Sequence, residues 1–308
     1  MPFVLIPDYR VLDLTDEKGV CCGRMLADFG AEVVKVERPG GDPSRNLGPF
    51  YRGIPSSEQS LFWFYTNLGK KGITLNLESE YGREIFKQLV NKFDVVIESF
   101  EPGYLDSLGV GYKALESINP SIIVASISPF GQTGPYAHYK ASDIVGMALG
   151  GMLRLHGEID SHPVRVSFPL FYFFGGIHGA VGIMAALYYR ELSGQGQYVD
   201  VSCQEAISLS LMEATENWEM LKFSPKGTGL WVVTPRPEPL GNLRVPRIWQ
   251  CRDGYVLFLL GGGSQPGIVE SSMALKRLAN ENGMALEIKD YDFRRWDALS
   301  ISQEEADK

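Results

Sequence analysis

The chain has 308 residues, with 29 Lys and Arg against 37 Asp and Glu, for a formal net charge of -8. Its 44% apolar content supports a substantial core and its 21% charged residues are ordinary, which excludes wholesale disorder. The acidic balance excludes a general nucleic-acid binder, which needs clustered Lys and Arg, but leaves room for a small anionic ligand in a local basic pocket.

From the N-terminus, Asp8, Arg10 and Asp13 interrupt any apolar run of signal-peptide type. Arg10 to Leu14 reads as a strand, followed by a helical stretch to about Phe29, and Glu32 to Val36 is a second strand. A Gly-, Pro- and Arg-rich loop runs from Glu37 to Pro55, and Gly72 to Leu75 is again β-like. Ser79 can cap a helix running to about Lys92, with Glu80 and Glu84 near its start. Asp94 to Ile97 and Ile122 to Ile127 are strands around a helix at Tyr112 to Ile118. This alternation predicts an α/β fold with a mostly parallel, doubly wound sheet.

Beyond the turn at Gly131 to Pro135, a helix is expected near Asp143 to Leu149, then the run Val164-Arg165-Val166. No formal charge occurs between Arg165 and Arg190, and Phe168 to Tyr189 is long enough to cross a bilayer. Pro169, His178 and the surrounding α/β pattern favour a buried helix instead. A strand at Gln197 to Val201 and a helix from about Gln204 follow. The domain reading is a large domain over 1–225, a Pro-rich linker over 226–246, and a small α+β domain over 247–308. Within the last, Ile248 to Cys251 and Tyr255 to Leu260 read as strands and Ser271 to Asn282 as a helix.

Generic motifs leave the function open. Val20-Cys21-Cys22-Gly23 stands where a dinucleotide fold would carry G-x-G-x-x-G, and no P-loop is present. His138, His156, His162 and His178 have no metal-ligand spacing, so no metal is expected. Cys21, Cys22, Cys203 and Cys251 lack C-x-x-C spacing and fit a reducing cytoplasm, the expected location. Cys203 opens a helix without an evident base partner, and Gly261-Gly262-Gly263-Ser264 reads as a turn or an anion-holding loop.

Longer strings are more specific. These are Val11 to Thr15, Met25 to Gly40, Gly69 to Leu77, Ser99-Phe100-Glu101-Pro102-Gly103 and Arg190 to Gln197. Together, from about Pro7 to Cys203 and more faintly to about Leu260, they resemble the class III CoA-transferases, a family that includes formyl-CoA transferase, carnitine CoA-transferase and α-methylacyl-CoA racemase. The resemblance implies a Rossmann-like large domain, a smaller domain and an interlocked dimer. It also implies transfer of CoA from an acyl-CoA to a carboxylic acid. A carboxylate attacks the thioester to give a mixed anhydride, and the released thiolate returns to leave CoA on the enzyme. Backbone N–H groups stabilise each tetrahedral oxyanion.

The nucleophilic Asp of the family would fall on Tyr172, and no Asp or Glu occurs between Arg165 and Arg190. A phenol cannot form an acyl-carboxylate anhydride, and at an ordinary pKa near 10 it is a poor nucleophile. By the resemblance, Arg38, Leu75, Asn76, Phe100 and Lys140 are CoA-contact candidates, and Asp143 is an acidic neighbour of the reacting centre. Ser107 and Glu78 replace cations of the family, thinning the positive charge that CoA phosphates need.

The leading expectation is therefore the Asp-lacking subunit of a heteromeric transferase, as the benzylsuccinate enzymes of the family use two related subunits. Its partner would be an Asp-bearing paralogue, or a second copy in an interlocked dimer. An independent acyl-CoA racemase using His178, Asp143 or Asp160 stays open, as does a CoA-binding scaffold. The resemblance also implies chain beyond the small domain, so 308 residues are expected to hold one domain and part of a second.

Overall fold

Short runs rich in Val and Ile, each followed by a helical pattern, build one six-stranded sheet in the computed structural model. It describes residues 5, 6, 8–234, 236, 240–263, 265–285 and 288–307. Pro7 and Ser264, which figure in the readings above, and residues 235 and 237–239 of the expected linker lie outside the described residues.

The order of elements is β1 (Arg10–Asp13), α1 (Val20–Asp28), β2 (Glu32–Glu37), α2 (Leu61–Asn67), β3 (Lys71–Thr74), α3 (Glu80–Val90) and β4 (Val95–Glu98). Then come α4 (Tyr104–Ser107), α5 (Tyr112–Ile118), β5 (Ile123–Ser128), α6 (Asp143–Leu149), α7 (Leu170–Ser193), β6 (Tyr198–Ser202) and α8 (Cys203–Leu209). Every ladder among these strands is parallel, in the order β3-β2-β1-β4-β5-β6. This is the Rossmann-like, doubly wound arrangement, and the strand order reverses between β1 and β4.

The strands are apolar on both faces because helices cover both. Val11, Val33, Val95, Ile97, Ile123 and Ile127 pack under α1, α7 and α8, meeting Leu26, Phe171, Ile183 and Ile207. Leu12, Val34, Val36, Val96 and Val124 face the other way, against Phe86 and Val90 of α3 and Leu115 of α5. Each large side chain buried here stabilises the fold by roughly 1.5–3 kcal/mol. Ser79 caps α3 as the sequence predicts, its Oγ accepting from the Gly82 N–H at 3.0 Å.

Helix α7 is long and apolar enough to cross a bilayer by length and composition, and half of its most apolar window is buried within the protein. Its glycines explain the packing. A Cβ on Gly176 would sit 2.8 Å from Cys21 Cβ, and one on Gly175 would sit 2.3 Å from Cys203 Sγ. The small residues thus let the helix backbone approach α1 and α8 closely.

By compactness the described chain divides into one unit of 1–153 and 165–211 and a second of 154–164 and 212–308. The second unit holds α9 (Met212–Leu221), β7 (Trp231–Thr234), β8 (Leu243–Pro246), β9 (Ile248–Cys251), β10 (Gly254–Leu257), α10 (Pro266–Glu281) and α11 (Gln303–Ala306). Two findings differ from the sequence expectation. The stretch 226–246 carries the antiparallel pair β7–β8 rather than only a linker, and Leu243 and Val245 bury against Ile301. Segment 154–164 belongs with the second unit: Gly227 N–H donates to the Arg154 carbonyl at 2.8 Å and Lys226 Nζ to the Ile159 carbonyl at 2.7 Å. Val164-Arg165-Val166 forms no regular element.

Candidate active site

The site grows from a buried charge network at the carboxyl ends of β1 and β2. Asp13 is fully buried and pairs with Lys70 at 2.7 Å and with Lys35 at 3.8 Å. Lys35 also pairs with Asp42 at 3.0 Å and donates to the Thr15 carbonyl. Asp13 Oδ1 accepts from the Thr15 N–H at 3.0 Å and from its hydroxyl at 2.6 Å. Burial alone would push the Asp13 carboxyl up, but the two lysines outweigh it and hold it below its ordinary value. The same burial pulls Lys70 down, with Asp13 opposing it. A fully bonded network of this kind fixes the bend that leaves β1.

That bend places Asp16 at the edge of the strand-order reversal. Ser99 Oγ donates to Asp16 at 2.7 Å, and Lys18 Nζ pairs with it. Around this point a cleft of about 480 Å³ opens at the carboxyl ends of β1 to β4, where doubly wound sheets bind ligands. The cleft gathers Arg38, Leu75, Asn76 and Phe100, which are distant in sequence, together with Leu14, Val36, Asp16, Asp42, Glu78 and Tyr104. Phe100 and Tyr104 stack at 4.8 Å, tilted by 38°, so one wall is aromatic and apolar. Such a wall suits a heteroaromatic ring.

Charge around the cleft is mixed. Among the described residues Arg38 Nε donates to the Gly41 carbonyl at 3.4 Å and the guanidinium makes no ion pair, leaving the rest of its fork for an anion. Glu78 lines the same cleft and accepts from the Tyr104 phenol; burial, followed by this carboxylate, holds that phenol above its ordinary value. Ser107 is exposed, its hydroxyl donating to the Tyr104 carbonyl at 2.7 Å. Lys140 is exposed on the segment between β5 and α6 and is not among the residues that line the cleft.

Tyr172 sits in the first turn of α7, buried to 7% exposure, and its hydroxyl donates to the Ala141 carbonyl at 3.2 Å. Burial raises its phenol far above the ordinary value, and the Glu17 carboxylate adds the largest charge effect. At neutral pH it is a neutral phenol, without nucleophilic character. Asp143 opens α6 beside it. Its carboxylate accepts from the Phe171 N–H at 3.0 Å and pairs with Arg165 at 2.8 Å. Both oxygens are thus engaged, one with the Phe171 N–H at the start of α7 and one with Arg165. His178 lies further along α7, and Asp160 belongs to the second unit.

The buried thiols of Cys21 and Cys203 are inert by environment: burial pushes the first up to about 11 and the second up to about 12. No cluster of three or more metal-ligating side chains occurs among the described residues. Sequence reasoning missed Asp16, Glu17 and Tyr104. The one signal available for the first two was their place directly after β1, where an open α/β sheet presents its ligand-binding loops.

Comparison with known proteins gives the setting. A family model described as CoA-transferase family III matches residues 6–287. The succinyl-CoA:(R)-benzylsuccinate CoA-transferase subunit BbsE of Thauera aromatica is 38% identical over 248 residues, 80% of this chain and 58% of that protein. The acetyl-CoA:oxalate CoA-transferase of Acetobacter aceti is 40% identical over 222 residues, 71% of this chain and 56% of that protein. This chain therefore spans just over half the length of these curated relatives. The crystal structure of a CAIB/BAIF family protein from Brucella suis matches with a TM-score of 0.74 at 30% identity, covering 96% of this chain and 79% of that one.

Proposed function

The chain belongs to CoA-transferase family III, and on that premise we propose that it serves CoA transfer between an acyl-CoA and a carboxylic acid as the Asp-lacking subunit of a heteromeric enzyme. The observation that carries the reading is Tyr172. At the position where the resemblance expects the nucleophilic Asp, the chain buries a neutral phenol, and Asp143 beside it is committed to Arg165 and the Phe171 N–H. A relative that is itself a named subunit supports the heteromeric form, although other relatives are named simply as transferases.

In this reading the cleft at the strand-order reversal holds the nucleotide end of CoA. Leu75, Phe100 and Tyr104 supply the apolar wall for the adenine, Asn76 adds a polar contact, and Arg38 is the cation for phosphate. Glu78 faces the same anion, so binding is weaker than an all-basic cleft would give. Lys140 would meet the ligand only from the segment beside Tyr172. The partner is an Asp-bearing paralogue, threaded with this chain in the interlocked manner of the family, and the unpaired thiols suit a reducing cytoplasm.

Native mass spectrometry of the protein purified from its host tests the reading. The expected result is a complex with a second, Asp-bearing chain and one bound CoA per nucleotide cleft. A homo-oligomer with full transferase activity and no second chain would overturn it.

A further inference from the structure

The loss of the Asp at position 172 does not leave the centre without a carboxylate. Glu17 occupies the loop between Asp16 and α1, and three observations bring it to the reacting centre. First, Gly176 of α7 lies against Cys21 and Cys22 of α1, with a Cys22 backbone N only 3.0 Å from where its Cβ would be. Tyr172 is one helical turn before Gly176 on the same face, and Glu17 precedes α1 by one short loop, so the packing of α1 on α7 brings the Glu17 carboxylate within electrostatic reach of the Tyr172 phenol. Second, Asp16 forms part of the cleft wall, so a pantetheine arm leaving the cleft across Asp16 meets Glu17 next. Third, Glu17 is half-buried, and its carboxylate bonds to its own backbone N–H rather than to a cation. Its neighbour Lys18 pairs with Asp16 instead, and no ion pair to Glu17 occurs among the described residues.

We infer that Glu17 is a nucleophilic carboxylate of this chain, displaced from the family's position onto the β1–α1 loop but directed at the same reacting centre. This goes beyond the reading above, because it places a covalent acceptor in this chain whether or not a partner supplies another. The steps balance without an added proton or oxidant. A Glu17 oxygen attacks the thioester carbon of the acyl-CoA, the C–S bond breaks and CoA leaves as thiolate, giving a glutamyl–acyl anhydride. The thiolate attacks the glutamyl carbonyl, the C–O bond breaks, and the free acid departs as carboxylate. The incoming acid then repeats both steps in reverse order on the glutamyl–CoA thioester, which restores the Glu17 carboxylate.

The environment suits that role. Burial and the nearby Asp16 hold the Glu17 carboxyl above its ordinary value, which makes the ionised form more basic and more nucleophilic. Helix α1 begins without a side-chain cap, so the partial positive charge of its N-terminus lies close to the developing oxyanion.

The test uses the host-purified protein, with whatever chains accompany it, mixed with succinyl-CoA and quenched with borohydride. Reduction converts an enzyme–CoA thioester to an alcohol, which peptide mass spectrometry locates. The expected product is the alcohol on the peptide containing Glu17, reduced to background in Glu17→Gln and slowed in Glu17→Asp, with CoA binding and the melting temperature preserved in both. Labelling of an Asp in a second chain, with Glu17 untouched, would overturn the inference and leave the heteromeric reading standing. Labelling of Glu17 in a protein that has no second chain would do the reverse. If no carboxyl is labelled although CoA binds, Glu17 is not a nucleophile.

Discussion

Glu98→Gln isolates the cost of one buried carboxyl. Glu98 ends β4 opposite Ser126 in the parallel register and is only 5% exposed. Its Oε2 accepts from the Phe100 N–H at 2.6 Å, and the Ser126 hydroxyl, which itself accepts from the Tyr198 hydroxyl at 2.9 Å, bonds to it as well. These bonds favour the charged form, but burial outweighs them and pushes the carboxyl from 4.5 to about 7. Between those two values the folded protein keeps a proton that the unfolded chain has released, so stability falls as pH rises through that window. At roughly 1.4 kcal/mol per pH unit, the whole interval corresponds to about 3 kcal/mol, present in full above the folded value. Glutamine has nearly the same shape, can still accept from Phe100, and carries no charge to bury. Urea unfolding of both proteins from about pH 4 to about pH 8 should therefore show a difference in stability that grows with pH by about 3 kcal/mol in favour of the variant. Common titrations elsewhere cancel in that difference. A pH-independent difference would refute the argument, because it would mean that Glu98 titrates alike in the folded and unfolded states.

Arg38→Ala should weaken CoA binding about tenfold by calorimetry, the equivalent of one lost charge-assisted contact, whereas Glu78→Lys should strengthen it by a similar factor. Unchanged affinity in both would remove the cleft as the nucleotide site. Lys70→Met should cost about 3–5 kcal/mol in chemical denaturation, since it strands Asp13 as a buried, half-paired carboxylate, and Asp13→Asn in the same chain should recover part of the loss. Gly176→Ala should lower stability by about 1–3 kcal/mol, because its Cβ would press on Cys21 and Cys22 of α1, and a melting temperature equal to the parent would contradict the close packing described.

How much of this was legible from the chain varies by element and for physical reasons. The parallel strands carried their own signal, because a strand buried on both faces is a run of β-branched residues with turn chemistry at each end. Helices α5 and α6 matched their expected spans, Tyr112–Ile118 and Asp143–Leu149. Helix α2 did not show, because Leu61 to Asn67 is nearly all aromatic or polar without a 3.6-residue stripe, and α4 is a single turn. Helix α10 starts at Pro266, five residues ahead of the expectation at Ser271, since proline is well suited to the first turn of a helix. Strands β7 and β8 were hidden by the prolines around them.

The site divides along the same line. The sequence by itself determined the fold class, the resemblance to CoA-transferases and the absence of any Asp or Glu between Arg165 and Arg190, because each is carried by residues adjacent in the chain. It also named Arg38, Leu75, Asn76 and Phe100, though only the sheet order β3-β2-β1-β4 brings their loops to one cleft. Tertiary structure alone decided that Asp143 is tied to Arg165, that Asp13, Lys35 and Lys70 form a buried network, and that the Glu17 carboxylate lies within electrostatic reach of the Tyr172 phenol. Those are interactions between segments distant in sequence, and the last of them depends on how closely α1 and α7 pack. That distance depends on glycines whose meaning appears only when the two helices meet.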